Sequence, residues 1–194
     1  MKETNMQILK QCPVLSETRV DSTLIFDGSV LHVYKDRIRL PDGKLSSREY
    51  MHHVGAVCVL PLTKEQEVIC VRQYRYACAQ VLLEIPAGKL DFPDEPHAEA
   101  AIRELREETG AVGANMTYLG PLLTSPALLD EVIHMYLAED FTMGETDFDD
   151  DEFLEIVKIP LTEMVRMVMN GEIPDAKTQT AVMRVQALLA ERRT

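Results

Sequence analysis

A chain of 194 residues with a formal net charge of −12 has the length of one domain, with room for a small appendage and a substantial core. The acidic balance argues against nucleic-acid polymers, which demand basic patches. No uninterrupted apolar run approaches the ~20 residues needed to span a bilayer, and an anionic small ligand would need local cations to overcome the global field.

The opening MKETNMQILKQCPVL lacks the apolar core of a secretory signal, so the expectation is a cytoplasmic protein. Segments around 20–26, 29–39 and 46–52 read as short strands, with Pro41-Asp42-Gly43-Lys44 a turn between two of them. Residues 54–61 and 68–74 are apolar and rich in β-branched side chains. The polar turn between them predicts a hairpin at the centre of a sheet. Residues 82–85 form a short strand ending at Pro86, where the ladder cannot continue. Cys12, Cys58, Cys70 and Cys78 show no CxxC spacing and are expected to be reduced thiols, those at 58 and 70 in the core.

A helix follows, starting near Asp94 or Glu95, with Pro96 in its first turn and Gly110 placed to end it. Ala98, Ala101, Ile102 and Leu105 define a stripe for core packing. Glu104, Glu107 and Glu108 fall within roughly 100° of helical arc on a second face. Like charges so placed repel by about 0.2–0.5 kcal/mol even in isolated helices. A hard divalent cation, Mg²⁺ or Mn²⁺, would neutralise them; the alternative is a solvated acidic helix without chemistry. Downstream, 117–123, 132–138 and 154–159 read as strands, 161–170 as a short helix closed by Gly171, and 176–192 as a longer helix. Val182, Val185, Leu188 and Leu189 lie on its apolar side. The pattern is α/β, a sandwich around one central sheet.

The run GKLDFPDEPHAEAAIRELREETGA, residues 88–111, resembles the Nudix hydrolase signature. Its anchors are Gly88, Glu95, Arg103, Glu104, Leu105, Glu107, Glu108 and Gly110. Six residues separate Gly88 from Glu95 where the family has about five; the extra one falls in the turn 91–94, where insertion is cheap. The resemblance implies a Nudix-type α/β/α sandwich with a central mixed sheet and an N-terminal antiparallel strand region. It divides the chain into residues 1–50, a dimerisation element of a homodimer, and 51–194, the hydrolase domain. Leu83-Glu84-Ile85-Pro86-Ala87-Gly88, Arg72-Gln73-Tyr74-Arg75 and Pro126, fifteen residues beyond Ala111, are similar to the ADP-ribose pyrophosphatase branch. Ala127 stands where many relatives carry Gly.

The resemblance also implies roles. Glu104, Glu107, Glu108 and the carbonyl of Ala87 would hold Mg²⁺, with Mn²⁺ as a substitute. Arg103 would orient the carboxylates by ion pairing, Glu95 would join loop to helix, and Gly88 would serve a turn that excludes Cβ. A general base is expected from the acidic loop 143–152, Glu152 first and Asp150 second; the alternative is a flexible solvated connection. Arg75 would reach the diphosphate or terminal ribose, while Arg48 and Glu49 would contact adenine. For Arg48 a surface salt bridge is an equal reading. Glu84, a charge on a short strand before this run, would if buried need a partner or a metal role. His52 and His53 read as structural. The expected substrate is a small nucleoside diphosphate sugar, ADP-ribose first, cleaved to AMP and ribose 5-phosphate. GDP- or UDP-sugars are the alternative, and a silent nucleotide-sugar-binding module is a third.

Overall fold

The structure, a computed structural model, describes residues 14–148 and 153–193. The chain divides into two units, the first running to His53 and taking in Ser125–Asp130, the second holding everything else.

The first unit is an antiparallel sheet of β1 (Thr18–Asp27), β2 (His32–Arg39) and β3 (Leu45–His52), paired in that order. The turn before β3 closes through Gly43, at φ +87°, whose N–H donates to the Leu40 carbonyl at 2.9 Å. The segment 125–130 is tied to β3. Met51 N–H donates to the Leu128 carbonyl at 2.8 Å, and the Asp130 carboxylate meets His52 Nδ1 at 2.7 Å and His53 N–H at 2.8 Å. Both histidines therefore have a structural partner. Every residue of β1 is exposed, including Leu24, Ile25 and Phe26.

The second unit is built on a mixed sheet. β4 (Ala56–Pro61) runs parallel to β10 (Ile133–Glu139), and β7 (Ala87–Lys89) and β9 (Asn115–Leu122) flank this pair antiparallel. β5 (Glu67–Arg75), β6 (Gln80–Glu84) and β12 (Leu154–Pro160) form a separate antiparallel sheet with β5 in the middle. β8 (Ala111–Val112) pairs with β11 (Thr142–Met143). The helices are α1 (His97–Thr109), α2 (Leu161–Met169) and α3 (Ala176–Glu191).

The predicted hairpin between residues 54–61 and 68–74 is not formed. Only the isolated bridge Leu62–Val68 joins these strands, which then enter different sheets. Pro61 lacks an N–H and ends the ladder at the turn. Burial on both faces explains why each strand reads as a continuous apolar run. Along β4, Val57 and Val59 pack with Ala100, Ala101 and Leu105 of α1 on one face. Cys58 and Leu60 point the other way, into a larger core with Cys70, Met135, Met164, Val182 and Val185. The two core thiols are free, and burial pushes each up to about 12. Cys78 is free and exposed, and Cys12 lies outside the described residues.

Helix α1 begins later than predicted, at His97, with Pro96 in the cap position rather than the first turn. Its buried stripe is also rotated. Ala98 and Ile102 are exposed, Ile102 at 51%, while Ala100, Ala101, Leu105, Glu108 and Thr109 are buried. The acidic cluster is thus not on a separate face, because Glu108, at 5% exposure, shares the packed side. Leu105→Ala should cost about 2–5 kcal/mol of stability through the cavity it leaves, whereas Ile102→Ala should cost less than about 0.5 kcal/mol. Urea midpoints check this, and equal losses would contradict the rotated stripe.

Candidate active site

The loop after β7 returns the chain so that α1 lies along β7 and β4. A cavity of about 550 Å³ opens there, within the range of small-molecule sites. Ala87 and Gly88 of β7 and Arg103, Glu104 and Glu107 of α1 line it, joined by Arg75 from the end of β5 and Lys177 from the first turn of α3.

Arg103 holds the carboxylates together. Its Nη1 donates to Glu104 Oε1 at 2.8 Å and to Glu107 Oε2 at 3.2 Å, and Nη2 donates to the Lys89 carbonyl at 3.3 Å. Burial opposes its charge, but Glu104, Asp91 and Glu95 outweigh that and raise the guanidinium above its ordinary value. Glu95 joins loop to helix: it accepts from Asp91 N–H at 2.7 Å and lies 3.4 Å from Arg103 Nη2.

Gly88 acts differently from its expected role in a turn. It sits in β7 without a positive φ, and a Cβ added there would overlap the Glu104 carboxylate. The glycine lets the strand backbone approach the acidic cluster. That cradle, with Glu104 and Glu107 lining the cavity and the β7 backbone beside them, supplies hard oxygen donors that Mg²⁺ and Mn²⁺ prefer, while Glu108 is buried on the packed side of α1 and outside that lining. Among the described residues no three acidic, imidazole or thiol side chains are grouped so that they could hold a metal ion by themselves. An open set of this kind suits a cation that keeps waters and substrate phosphate in its shell.

Glu84 is the most deeply buried charge at the site, 1% exposed. Arg75 grips it with Nε and Nη2, each at 2.7 Å, and Lys177 Nζ donates to the same carboxylate. Lys177 also donates to Asp175 at 3.0 Å. Asp175 caps α3 by accepting from Thr178 N–H at 2.9 Å, and Thr178 Oγ1 in turn accepts from Ile85 N–H at 2.9 Å. Burial pushes the Glu84 carboxyl up, yet Arg75 and Lys177 more than offset it and bring it below the ordinary value of 4.5. Lys177 was absent from the sequence reading. One signal existed: a cation in the first turn of a helix opposes the dipole and needs a local reason.

The remaining expected residues divide. Arg48 and Glu49 belong to the N-terminal sheet, where Arg48 pairs with Glu17 and Glu49 accepts from Lys35 at 2.9 Å. Pro126 lies in the segment tied to that sheet. Glu152 and Asp150 lie outside the described residues. Two further carboxylates, Glu131 and Asp147, line the cavity and were not anticipated individually.

Because Glu84 titrates below 4.5 in the folded protein, its contribution is fully present above that pH and is lost as pH falls through the lower folded value. Removing this buried partner by Glu84→Gln should cost about 3–5 kcal/mol near neutrality. The gap between the urea midpoints of wild type and variant should hold from about pH 7 down to the ordinary carboxylate value of 4.5 and narrow below it. A gap that does not narrow there would mean that folding leaves the Glu84 carboxyl at its ordinary value.

Comparisons with known proteins bear on this geometry. The NUDIX domain model matches residues 51–180, and the model for a nucleoside diphosphate sugar hydrolase N-terminal domain matches residues 17–51. An ADP-ribose pyrophosphatase of Bacillus subtilis is 39% identical over 174 residues, covering 89% of this chain and 94% of that protein. A methanol dehydrogenase activator of Bacillus methanolicus is 37% identical over 175 residues, with the same 89% and 94% coverage. Among solved structures, a crystal structure of an ADP compounds hydrolase superposes with a TM-score of 0.81. It is 23% identical, and the match covers 92% of this chain and 97% of that one.

Proposed function

The chain belongs to the Nudix hydrolase family, and on that premise we propose that it cleaves the diphosphate bond of ADP-ribose, releasing AMP and ribose 5-phosphate. The observation that carries this reading is one cavity walled by both the carboxylates of α1 and the cations Arg75, Lys89, Arg103 and Lys177. In a chain of net charge −12, those cations, set among the carboxylates of the same wall, are the groups able to meet an anionic diphosphate.

Glu104, Glu107, Glu108 and the Ala87 carbonyl would hold a divalent cation, assigned as Mg²⁺ with Mn²⁺ as substitute. When bound, it supplies Lewis-acid polarisation of the diphosphate and acidifies the attacking water. The chain's own residues do the rest. Arg103 keeps Glu104 and Glu107 on one side of the cavity. Arg75 meets the diphosphate while its fork, held by Glu84, fixes its direction. Proton removal from the water is assigned to Glu152, with Asp150 as the alternative. Adenine recognition is assigned to Arg48 and Glu49, with Pro126 marking the substrate loop.

The assay is AMP release from ADP-ribose beside GDP- and UDP-sugars at equal concentration. ADP-ribose should be preferred, EDTA should abolish turnover, and Glu104→Gln should lower kcat by at least about 100-fold. Preferred cleavage of another sugar would overturn the substrate, and survival of activity in the variant would overturn the metal ligands.

The reading extends to a cytoplasmic homodimer. No helix among the described residues is long and apolar enough to cross a membrane. All ten residues of edge strand β1 are exposed, among them Val20, Leu24, Ile25 and Phe26, an edge that proteins ordinarily cover. The N-terminal strand region, residues 1–50, is assigned to that interface and residues 51–194 to hydrolysis. Light scattering should give twice the chain mass of 21.9 kDa; a single-chain mass would refute the dimer.

A further inference from the structure

The last turn of a helix leaves carbonyls that no helical N–H can reach. At the end of α1 these groups are taken up by the segment that follows β11. Gly144 N–H donates to the Gly110 carbonyl at 2.6 Å, and Asp147 N–H donates to the Glu107 carbonyl at 3.0 Å. Arg106 Nη2 adds a side-chain bond to Asp147 Oδ2 at 2.9 Å. The β8–β11 pair leads the two chains into this contact. Gly110 is shaped for it twice over: its φ of +73° caps the helix, and a Cβ there would meet the Gly144 carbonyl oxygen at 2.5 Å. Gly171 has almost the same φ, +74°, with nothing within 4 Å of its Cβ position. The close approach is therefore particular to Gly110, not a general property of helix ends.

Asp147 lines the cavity together with Glu107. Glu107 is thus held at both ends, its carboxylate by Arg103 and its carbonyl by the Asp147 amide. We propose that Arg106 and Gly110 are positioning residues that clamp the 144–147 segment onto the carboxyl end of α1, making Asp147 part of the hydrolytic wall beside Glu107. This role rests on the hydrolase reading. The Arg106–Asp147 pair is exposed, with side-chain accessibilities of 54% and 67%, so it contributes little to global stability. Its effect belongs in turnover.

The experiment compares Arg106→Glu, the conservative Arg106→Lys, Gly110→Asn and Gly171→Asn, reading kcat and KM on ADP-ribose and amide hydrogen exchange at Gly144 and Asp147. Asn tolerates the left-handed region, so Gly110→Asn adds a Cβ at modest backbone cost and Gly171→Asn controls for that cost. Arg106→Glu and Gly110→Asn should lower kcat roughly 10-fold with KM within about 2-fold, as small misplacements in a site do. Both should speed exchange at the two amides, Arg106→Lys should keep most of the activity and protection, and Gly171→Asn should match wild type. Unchanged kcat in Arg106→Glu, or a loss in Arg106→Lys as large as in Arg106→Glu, would overturn the clamp while leaving the hydrolase reading intact. Wild-type protein that cleaves no nucleoside diphosphate sugar, yet keeps both amides protected, would overturn the hydrolase reading and with it the catalytic role of the clamp.

Discussion

Concentrated negative charge must be held in a fixed arrangement before it can serve chemistry. In this chain the constraint is severe, because the net charge of −12 offers no background of positive potential. Arg103 answers it on α1, where one guanidinium contacts Glu104, Glu107, Glu95 and the Lys89 carbonyl. Loop, strand and helix are thereby fastened at one point. Gly88 completes the arrangement by having no Cβ, so the strand lies directly against the Glu104 carboxylate. The carboxylates are pre-positioned, and the anchor of that order is the packing of Ala101 and Leu105 against β4.

A second charge balance ties the sheet of β5, β6 and β12 to α3. Glu84 lies at the end of β6, Arg75 at the end of β5, and Lys177 on α3. Burying a carboxylate among them is costly unless it is paired and hydrogen-bonded, and both cations are supplied from elements that meet at the cavity. The same contacts that stabilise Glu84 therefore aim Arg75. Structural and functional charge are shared here, which is why a substitution at Glu84 should disturb fold and substrate binding together.

Much of this was legible in the sequence. The signature marked the helix and the carboxylate spacing, because helical geometry turns i, i+3 and i+4 into neighbours without reference to the rest of the molecule. The need of Glu84 for a partner followed from burial energetics alone. What escaped was information that depends on three-dimensional pairing. The apolar runs around β4 and β5 were correctly strands, but a turn signal cannot say whether they share a sheet; Pro61 and burial on both faces send them apart. The buried stripe of α1 was displaced because alanines at 98, 100 and 101 satisfy more than one helical face, and only contact with β4 selects among them. Lys177 and Asp147 reach the cavity from elements far along the chain, so no local spacing could have assigned them.

The central claim is that the carboxylates of α1, one of them buried, form a divalent-cation site. Its most direct test is the affinity of Mn²⁺ for the wild-type protein and for Glu108→Gln, measured by calorimetric titration without substrate. The account predicts that the variant binds at least about 10-fold more weakly while keeping its folded circular-dichroism spectrum. Equal affinity in the two proteins would place the cation elsewhere and contradict the account.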